Sequence, residues 1–254
     1  FSLSSLLSVF GYLLLRYRVA NISNDFTGPF PMMQASLLAK LQTIPSEMTY
    51  YLEKLIFPLN LTIARHWVVE KITFANFIIP LFILLLLIIL VFYGIRKFNS
   101  KIFLFFCLWF LLPMILIVNL VPLDMTVANR WFYFPQIGLL GMLVFVWQNF
   151  AATYSVMNRI FIPVSLSIIM IFGTRTVLRN FDWADNVTLY SSDLKNDPLN
   201  FYLENNLGAT LYKLTDKTGA ETHLLNSVKL YQSWFPPFKN LGHLYFYQKN
   251  YEKA

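Results

Sequence analysis

FANFIIPLFILLLLIILVFYGI, residues 74–95, is an uncharged run in which nearly every side chain is apolar. A helix needs roughly 20 such residues to cross the hydrocarbon core of a bilayer. The stretch therefore predicts a membrane-spanning helix, and it indicates that lipid is one of the solvents of this protein.

Further uncharged runs lie on both sides of this stretch. Residues 102–123 and 131–150 have the length of a span, and residues 1–15 have the composition of the end of another span. Residues 160–176 form a shorter run, uncharged up to Arg175, that can tilt. Prolines within or beside these runs are compatible with membrane helices, because neighbouring helices satisfy the freed carbonyl groups. We predict an all-α fold whose residues 1–178 form a polytopic membrane helix bundle.

The composition agrees with a membrane protein. Hydrophobic residues make up 57% of the 254 positions and charged residues 13%, whereas soluble domains average about 25% charged residues. The net charge of +7 favours anionic membrane lipid as a partner, and no nucleic acid is expected, because no basic stripe with interleaved aromatic residues occurs after the spans. The single cysteine, Cys107, allows neither a disulfide within the chain nor a cysteine-ligated metal site.

The orientation follows from the short basic loop at residues 96–101. Lysine and arginine collect in short cytoplasmic loops, so we predict that this loop is cytoplasmic. Helix alternation then places the loop at residues 22–73 and the chain after the last span on the outer face, which is periplasmic in a bacterial inner membrane and lumenal in the endoplasmic reticulum. We interpret the outer loop as a pair of interfacial helices, around residues 32–41 and 48–56.

The chain after the last span contains a repeat. Asn206-Leu207-Gly208 recurs as Asn240-Leu241-Gly242 at a spacing of 34 residues, which is the tetratricopeptide (TPR) period. We predict an incomplete TPR α-solenoid over residues 179–254, with helices over residues 201–214 and 218–230; a chance match of leucine-rich helices is the alternative. The residues predicted to pack between repeat helices are Asn206, Leu207, Gly208, Ala220, Asn240, Leu241, Gly242 and Ala254.

An arginine at the mouth of a predicted span is the first candidate for a binding site. Arg130 opens the helix at residues 131–150, and Tyr133 lies within one helical turn of it. A guanidinium can bind phosphate through two parallel hydrogen bonds, whereas a lone interfacial arginine more commonly serves as an anchor. The first interpretation predicts a phosphate site formed by Arg130 and Tyr133, with Arg16 and Arg18 behind them.

The residues around this arginine resemble a family signature. The stretch from Asn129 to Gly138, NRWFYFPQIG, is similar to the Asp/Glu-Arg-Tyr-x-Tyr-Leu-Pro-x-x-Gly pattern of the TMTC family, the transmembrane and tetratricopeptide-repeat O-mannosyltransferases, and of their bacterial relatives. Three further motifs that resemble this family follow its order: Tyr51-Leu52-x-x-Leu55-x-Phe57-Pro58-x-x-Leu61, Arg179-Asn180-x-x-Trp183-x-Asp185-x-x-x-Leu189-Tyr190 and Asn196-Asp197-Pro198-x-Asn200.

The resemblance implies the carboxy-terminal part of a GT-C glycosyltransferase, a many-helix membrane enzyme that moves a mannose-like sugar from a polyprenyl-phosphate donor to a protein. The lipid-linked sugar, an acceptor protein held by the repeats and membrane lipid would be its partners. The catalytic acids of such enzymes lie in an earlier outer loop, expected upstream of Phe1, so the resemblance assigns no catalytic base here. Asn129 stands where the family usually has an acid.

A non-catalytic membrane-anchored scaffold, whose repeats recruit partner proteins, is the alternative function. The sequence contains no glycine-rich phosphate loop, no HExxH motif and no paired cysteines, and its three histidines, His66, His223 and His243, are scattered. An acidic pair in the preceding outer loop would favour the enzyme, and its absence would favour the scaffold.

Overall fold

The computed structural model describes residues 28–254 and, before them, four single helical positions. These four are Leu7, Phe10, Gly11 and Leu14, and the side chains of Ser155 and Met157 are not described. The rest of the predicted helix at residues 1–15, the candidate residues Arg16 and Arg18, and residues 22–27 of the predicted outer loop lie outside the described residues.

The regular structure within the described residues is helical. One antiparallel bridge joins Arg65 to Val127, and no strand is present in this part of the chain. A π-helical turn, Phe74–Ile78, leads into α3, and a 3₁₀ turn, Asn129–Phe132, leads into α5. The helices are α1 (Pro31–Gln34), α2 (Leu37–Ile56), α3 (Ile79–Phe98), α4 (Lys101–Ile117), α5 (Tyr133–Thr153), α6 (Ser155–Asp182), α7 (Asn186–Asn196), α8 (Phe201–Lys213), α9 (Lys217–Leu230) and α10 (Pro236–Tyr247).

Within the described residues, three helical stretches are long and apolar enough to cross a membrane. They are Phe74–Phe98, Asn129–Thr153 and Asn158–Asp182, and the shorter apolar helix α4 packs beside them. Large apolar side chains remain exposed on their outer surfaces, as at Ile89 and Ile169, which is typical of helices that face lipid. The fold is therefore an all-α membrane helix bundle.

The predicted span at residues 102–123 is shorter in the structure, where α4 ends at Ile117. Asn119 adopts the left-handed conformation (φ 53°) that helices avoid. Its buried amide nitrogen donates hydrogen bonds to Glu47 Oε1 at 2.9 Å and to the Thr126 carbonyl oxygen at 2.8 Å. These distant partners end the helix, although the local sequence remains apolar.

The outer loop also differs from the prediction. Instead of two interfacial helices it contains one continuous helix of 20 residues, α2, after the single turn α1. Pro45 lies inside α2, where it removes one backbone donor, and the Thr49 hydroxyl donates to the Pro45 carbonyl oxygen at 2.9 Å. The amphipathic pieces on the two sides of Pro45 therefore belong to one helix, which accommodates the proline.

The last predicted span, residues 160–176, is longer in the structure. Helix α6 runs from Ser155 to Asp182 and crosses the predicted domain boundary at residue 178. Hydrophobicity defines only the part of a helix that lies in hydrocarbon, whereas the helical backbone can continue through polar residues beyond it. The tail, defined here as residues 186–254, therefore begins after this boundary.

Helices α4 and α5 approach closely at a glycine of α5. A Cβ atom at Gly138 would collide with the backbone of Phe110 in α4. Small residues allow membrane helices to approach in this way, and van der Waals contact then stabilises the pair. Phe110 and Met142 are among the buried side chains at this interface.

We expect the substitution Gly138→Ala to destabilise the bundle by about 1–3 kcal/mol, because the collision is with backbone that cannot rotate away. Gly173→Ala is the matched control, since a Cβ there meets no atom within 4 Å and alanine is the better helix former. The measurement is the thermal unfolding midpoint in detergent micelles. Equal midpoints for the two variants would contradict the proposed close contact.

The tail consists of stacked helices. Leu203 of α8, Leu224 of α9 and Leu244 of α10 are fully buried, and a Cβ at Gly208 would lie 2.8 Å from the Leu224 side chain. Helices α8 and α9 occupy the positions of the two predicted repeat helices, within one residue at all four ends. The assignment to the TPR class stays a prediction.

The repeat residues differ in their environments. Ala220 is fully buried, whereas its counterpart Ala254 is exposed after the end of α10. Leu207 and Leu241 are both buried, and Asn240 donates to Asn205 Oδ1 at 2.9 Å. The predicted packing of Ala254 between repeat helices stays a prediction.

The predicted orientation can be tested with single cysteines. We expect Lys213→Cys in the tail to react with a membrane-impermeant maleimide in intact cells, and Lys101→Cys in the basic loop to react only after permeabilisation. Both positions are exposed, and the native Cys107 is buried, so the parent protein serves as the unlabelled control. The reverse labelling pattern would invert the topology.

Candidate functional site

A cavity of about 440 Å³ lies where α2, α5 and α6 meet at the end of the bundle that faces the tail. Among the described side chains that line it, none is acidic. Its lining residues are Tyr51, Lys54, Leu55, Pro58, Leu61, Asn129, Phe132, Gln136, Leu140, Ile168, Phe172, Arg175, Thr176, Arg179 and Asn180.

The two ends of the cavity differ in chemistry. Leu140 of α5 and Ile168 and Phe172 of α6 form an apolar wall. Arg175 and Arg179 follow on α6, nearer its end at Asp182, so the cations lie toward the tail. A cavity that is apolar on the membrane side and cationic at its mouth suits an amphiphile with an anionic headgroup.

Arg175 is the cation with the most unused hydrogen-bonding capacity. Its Nε donates to the Pro58 carbonyl oxygen at 2.9 Å, and within the described part of the chain its terminal nitrogens make no hydrogen bond. It lies seven residues before the end of α6 at Asp182, which is about 10 Å at 1.5 Å per residue. A cation at the end of an apolar run that also lines a cavity marks a candidate functional site.

Lys54 and Arg179 are already paired. The Lys54 ammonium contacts Glu53 Oε1 at 2.7 Å and the Leu59 carbonyl oxygen at 2.9 Å. The Arg179 guanidinium contacts Asp182 at 2.9 Å and Asp193 of α7 at 2.6 Å. Of the three cavity cations, Arg175 therefore offers the guanidinium that is least neutralised by the protein.

The predicted phosphate residues Arg130 and Tyr133 do not line this cavity. Arg130 Nη1 donates to the Ile63 carbonyl oxygen at 3.4 Å, and its guanidinium lies over the Trp131 ring at 5.9 Å. Arg130 belongs to the 3₁₀ turn before α5, whereas Tyr133 begins the helix and is 69% exposed. The neighbouring Asn129 does line the cavity, so the motif lies beside this site.

The tail docks onto residues 61–67, named here the outer segment. Asp193 is fully buried, and its Oδ2 accepts a hydrogen bond from the Ile63 amide at 2.8 Å. Asn196 donates to the Leu61 carbonyl oxygen at 3.1 Å, and Asn200 donates to that of Ala64 at 2.9 Å. Burial raises the pKa of Asp193, and the hydrogen bonds from Ile63 and Arg179 oppose this effect.

An aromatic cluster completes the docking. The His66 ring stacks on Phe30, with 5.4 Å between centroids, and lies 5.0 Å from Phe201 of α8. Burial lowers the pKa of His66 to about 4, so this histidine is neutral at physiological pH. His66, which the sequence left unassigned, thus packs from the outer segment against Phe30 and the tail.

Glu47 is a buried carboxyl that the sequence analysis missed. It lies on α2, is fully buried and accepts one hydrogen bond from Asn119, while within the described residues its Oε2 has no partner. Burial raises its pKa to about 8, and the hydrogen bond from Asn119 opposes this rise. A charged residue on the apolar face of an amphipathic helix was the only sequence signal for it.

We expect stability to fall as the pH rises from 6.5 to 8, because the folded Glu47 keeps its proton up to about pH 8 and a carboxyl with the ordinary pKa of 4.5 does not. Below pH 6.5 the lowered pKa of His66 acts in the opposite direction. The folded chain then binds more protons than the unfolded chain, which costs at most about 1.4 kcal/mol per pH unit. Glu47→Gln should remove this slope from the thermal unfolding midpoint in micelles.

Glu53→Gln is the matched control for this measurement, since Glu53 lies on the same helix with its side chain 58% exposed. It should keep the parental pH dependence. An unchanged slope in Glu47→Gln would show that another group carries it.

The fold and the cavity define a membrane helix bundle with a cationic, lipid-accessible site and a docked helical tail. No protein-family model matches the chain, and no solved structure matches it. The chain is similar to human protein O-mannosyl-transferase TMTC3, with 29% identity over 135 residues, and to the mouse protein of that name, with 28% identity. Each match covers 53% of this chain and 15% of the relative, so the matched region spans a small part of those proteins.

Proposed function

We propose that this chain is part of a membrane glycosyltransferase of GT-C architecture. In this proposal the cavity binds the phosphate of a polyprenyl-linked, mannose-like sugar donor on the outer face of the membrane. The tail, as a TPR solenoid, holds the acceptor protein. The observation that carries the proposal is the cavity that is cationic at its mouth and apolar toward the membrane; the distant similarity to proteins named O-mannosyl-transferases supports it.

The lining residues suit the two parts of such a donor. The Arg175 guanidinium presents planar donors to phosphate oxygens, and the amides of Asn129 and Gln136 can hydrogen-bond to sugar hydroxyl groups. The apolar wall at Ile168 and Phe172 contacts the first isoprene units. Each contact uses a group that faces the cavity.

The contribution that we assign to this chain is binding and charge stabilisation. When the acceptor hydroxyl attacks the anomeric carbon, the bond from that carbon to the phosphate oxygen breaks and the lipid phosphate leaves with the electron pair. A guanidinium beside that oxygen stabilises the developing negative charge. The proton of the acceptor hydroxyl passes to a general base. No carboxyl group of the described residues lines the cavity, so we do not assign that base to the cavity residues.

We expect Arg175→Gln to weaken binding of polyprenyl phosphomannose to the purified chain in detergent by about 10- to 100-fold, because a charge-assisted hydrogen bond contributes about 1.5–3 kcal/mol. Arg175→Lys should restore part of the affinity, since it keeps the charge but loses the planar fork. Binding is measured by native mass spectrometry at graded ligand concentrations.

Two further variants separate the interpretations. Arg96→Gln, in the last turn of α3, is the matched control and should leave affinity unchanged. Arg130→Gln tests the phosphate role predicted from the sequence, and from its contact with the outer segment we expect a smaller loss than for Arg175→Gln. Parental affinity in Arg175→Gln would rule out the cavity as the phosphate site, and failure of the parent chain to bind the donor would favour the scaffold.

A further inference from the structure

Arg179 belongs to the cavity and to the docked tail at once. It lines the cavity from α6, and its Nη2 donates to Asp193 Oδ1 of α7 at 2.6 Å. The second Asp193 oxygen accepts from the Ile63 amide of the outer segment. One buried carboxylate therefore joins the cavity wall, the tail and the outer segment.

The cavity contains two arginines that differ in their electrostatic environment. Arg179 lies between the carboxylates of Asp182 and Asp193. Arg175 is one helical turn earlier and shares a helix face with Arg179, yet the hydrogen bond described for it goes to the carbonyl oxygen of Pro58. A phosphate beside Arg175 would thus lie next to the Arg179 guanidinium, which already forms an ion pair with Asp193 of the tail.

We propose that Asp193 competes with the bound phosphate for Arg179, so that ligand binding in the cavity and docking of the tail oppose each other. The proposal rests on the phosphate site proposed above. A buried ion pair gains little net energy over its desolvation cost, so an anionic phosphate group can replace the carboxylate. Asp193 would then be buried without its cation, which favours release of α7 from the outer segment.

The structure provides a direct reporter of this release. The described acceptor of the Ile63 amide is Asp193 Oδ2, so the rate of hydrogen–deuterium exchange at Ile63 reports the docked state. If undocking strengthens phosphate binding, phosphate binding must promote undocking by the same factor, because coupling between two sites is reciprocal.

The test uses the purified chain in detergent with dodecyl phosphate as the probe. We expect saturating dodecyl phosphate to accelerate exchange at Ile63 about fivefold or more, within the usual range of coupling between sites. Inorganic phosphate at the same concentration distinguishes a free phosphate ion from a lipid headgroup as the natural ligand. If the ligand is a lipid phosphate, inorganic phosphate should accelerate exchange at Ile63 less than dodecyl phosphate does. Asp193→Asn should bind dodecyl phosphate about fivefold or more tightly than the parent chain.

Asp182→Asn is the matched control for exchange, because Asp182 pairs with Arg179 without a described contact to the outer segment. It should retain the ligand-dependent exchange at Ile63. Exchange that does not respond to dodecyl phosphate, or an Asp193→Asn variant that binds no more tightly, overturns the competition. If Arg175→Gln also binds dodecyl phosphate as the parent does, the phosphate site itself is wrong, and this result distinguishes the two failures.

Discussion

The structure depends on the hydrogen bonding of the outer segment. Its backbone forms no helix, and buried peptide groups without partners are costly. Its hydrogen-bond partners come from remote parts of the chain. Arg65 forms the bridge to Val127, and Asn129 donates to the Thr62 carbonyl oxygen. The Thr126 hydroxyl accepts from the Trp67 amide and donates to the Trp67 carbonyl oxygen. The tail supplies the rest through its buried aspartate and two asparagines. The outer segment therefore joins the membrane helices to the tail. Neither the membrane helices nor the tail can move away without exposing peptide groups of this segment.

The cavity is a consequence of this joint. Pro58, just before the outer segment, accepts from Arg175, and Asp193 fixes Arg179 from the other side. Both contacts hold the outer end of α6, while Trp147 of α5 contacts Phe161 near the start of α6. Between these fixed ends α5 and α6 separate, and the cavity lies between them. Its cations are oriented by the groups that dock the tail.

Sequence reasoning located what is encoded locally and missed what is encoded at a distance. Continuous apolar runs predicted the spans, because hydrophobic length is a property of neighbouring residues. The early end of α4 depends on the hydrogen bond from Asn119 to Glu47, which lies 72 residues away. The docking of the tail depends on the hydrogen bond from the Ile63 amide to Asp193, which lies 130 residues away. The sequence indicated Arg130 as a candidate because it lies in a motif. Arg175 ends a hydrophobic run in the sequence, and only the structure shows that it lines the cavity.

The exposed surface of α6 bears on how such a site can select its ligand. Side chains such as Ile169 and Ile171 are more than 60% exposed, so lipid already contacts this helix along its length. A hydrocarbon chain that enters the gap beside α5 exchanges contacts with other lipid tails for contacts with apolar side chains. It gains little free energy, because lipid tails are as apolar as leucine. Discrimination between lipids must then come from the headgroup, where Arg175 and the neighbouring amides act in a partly dehydrated mouth. Selectivity is therefore concentrated in the few residues that the outer segment and the tail hold in place.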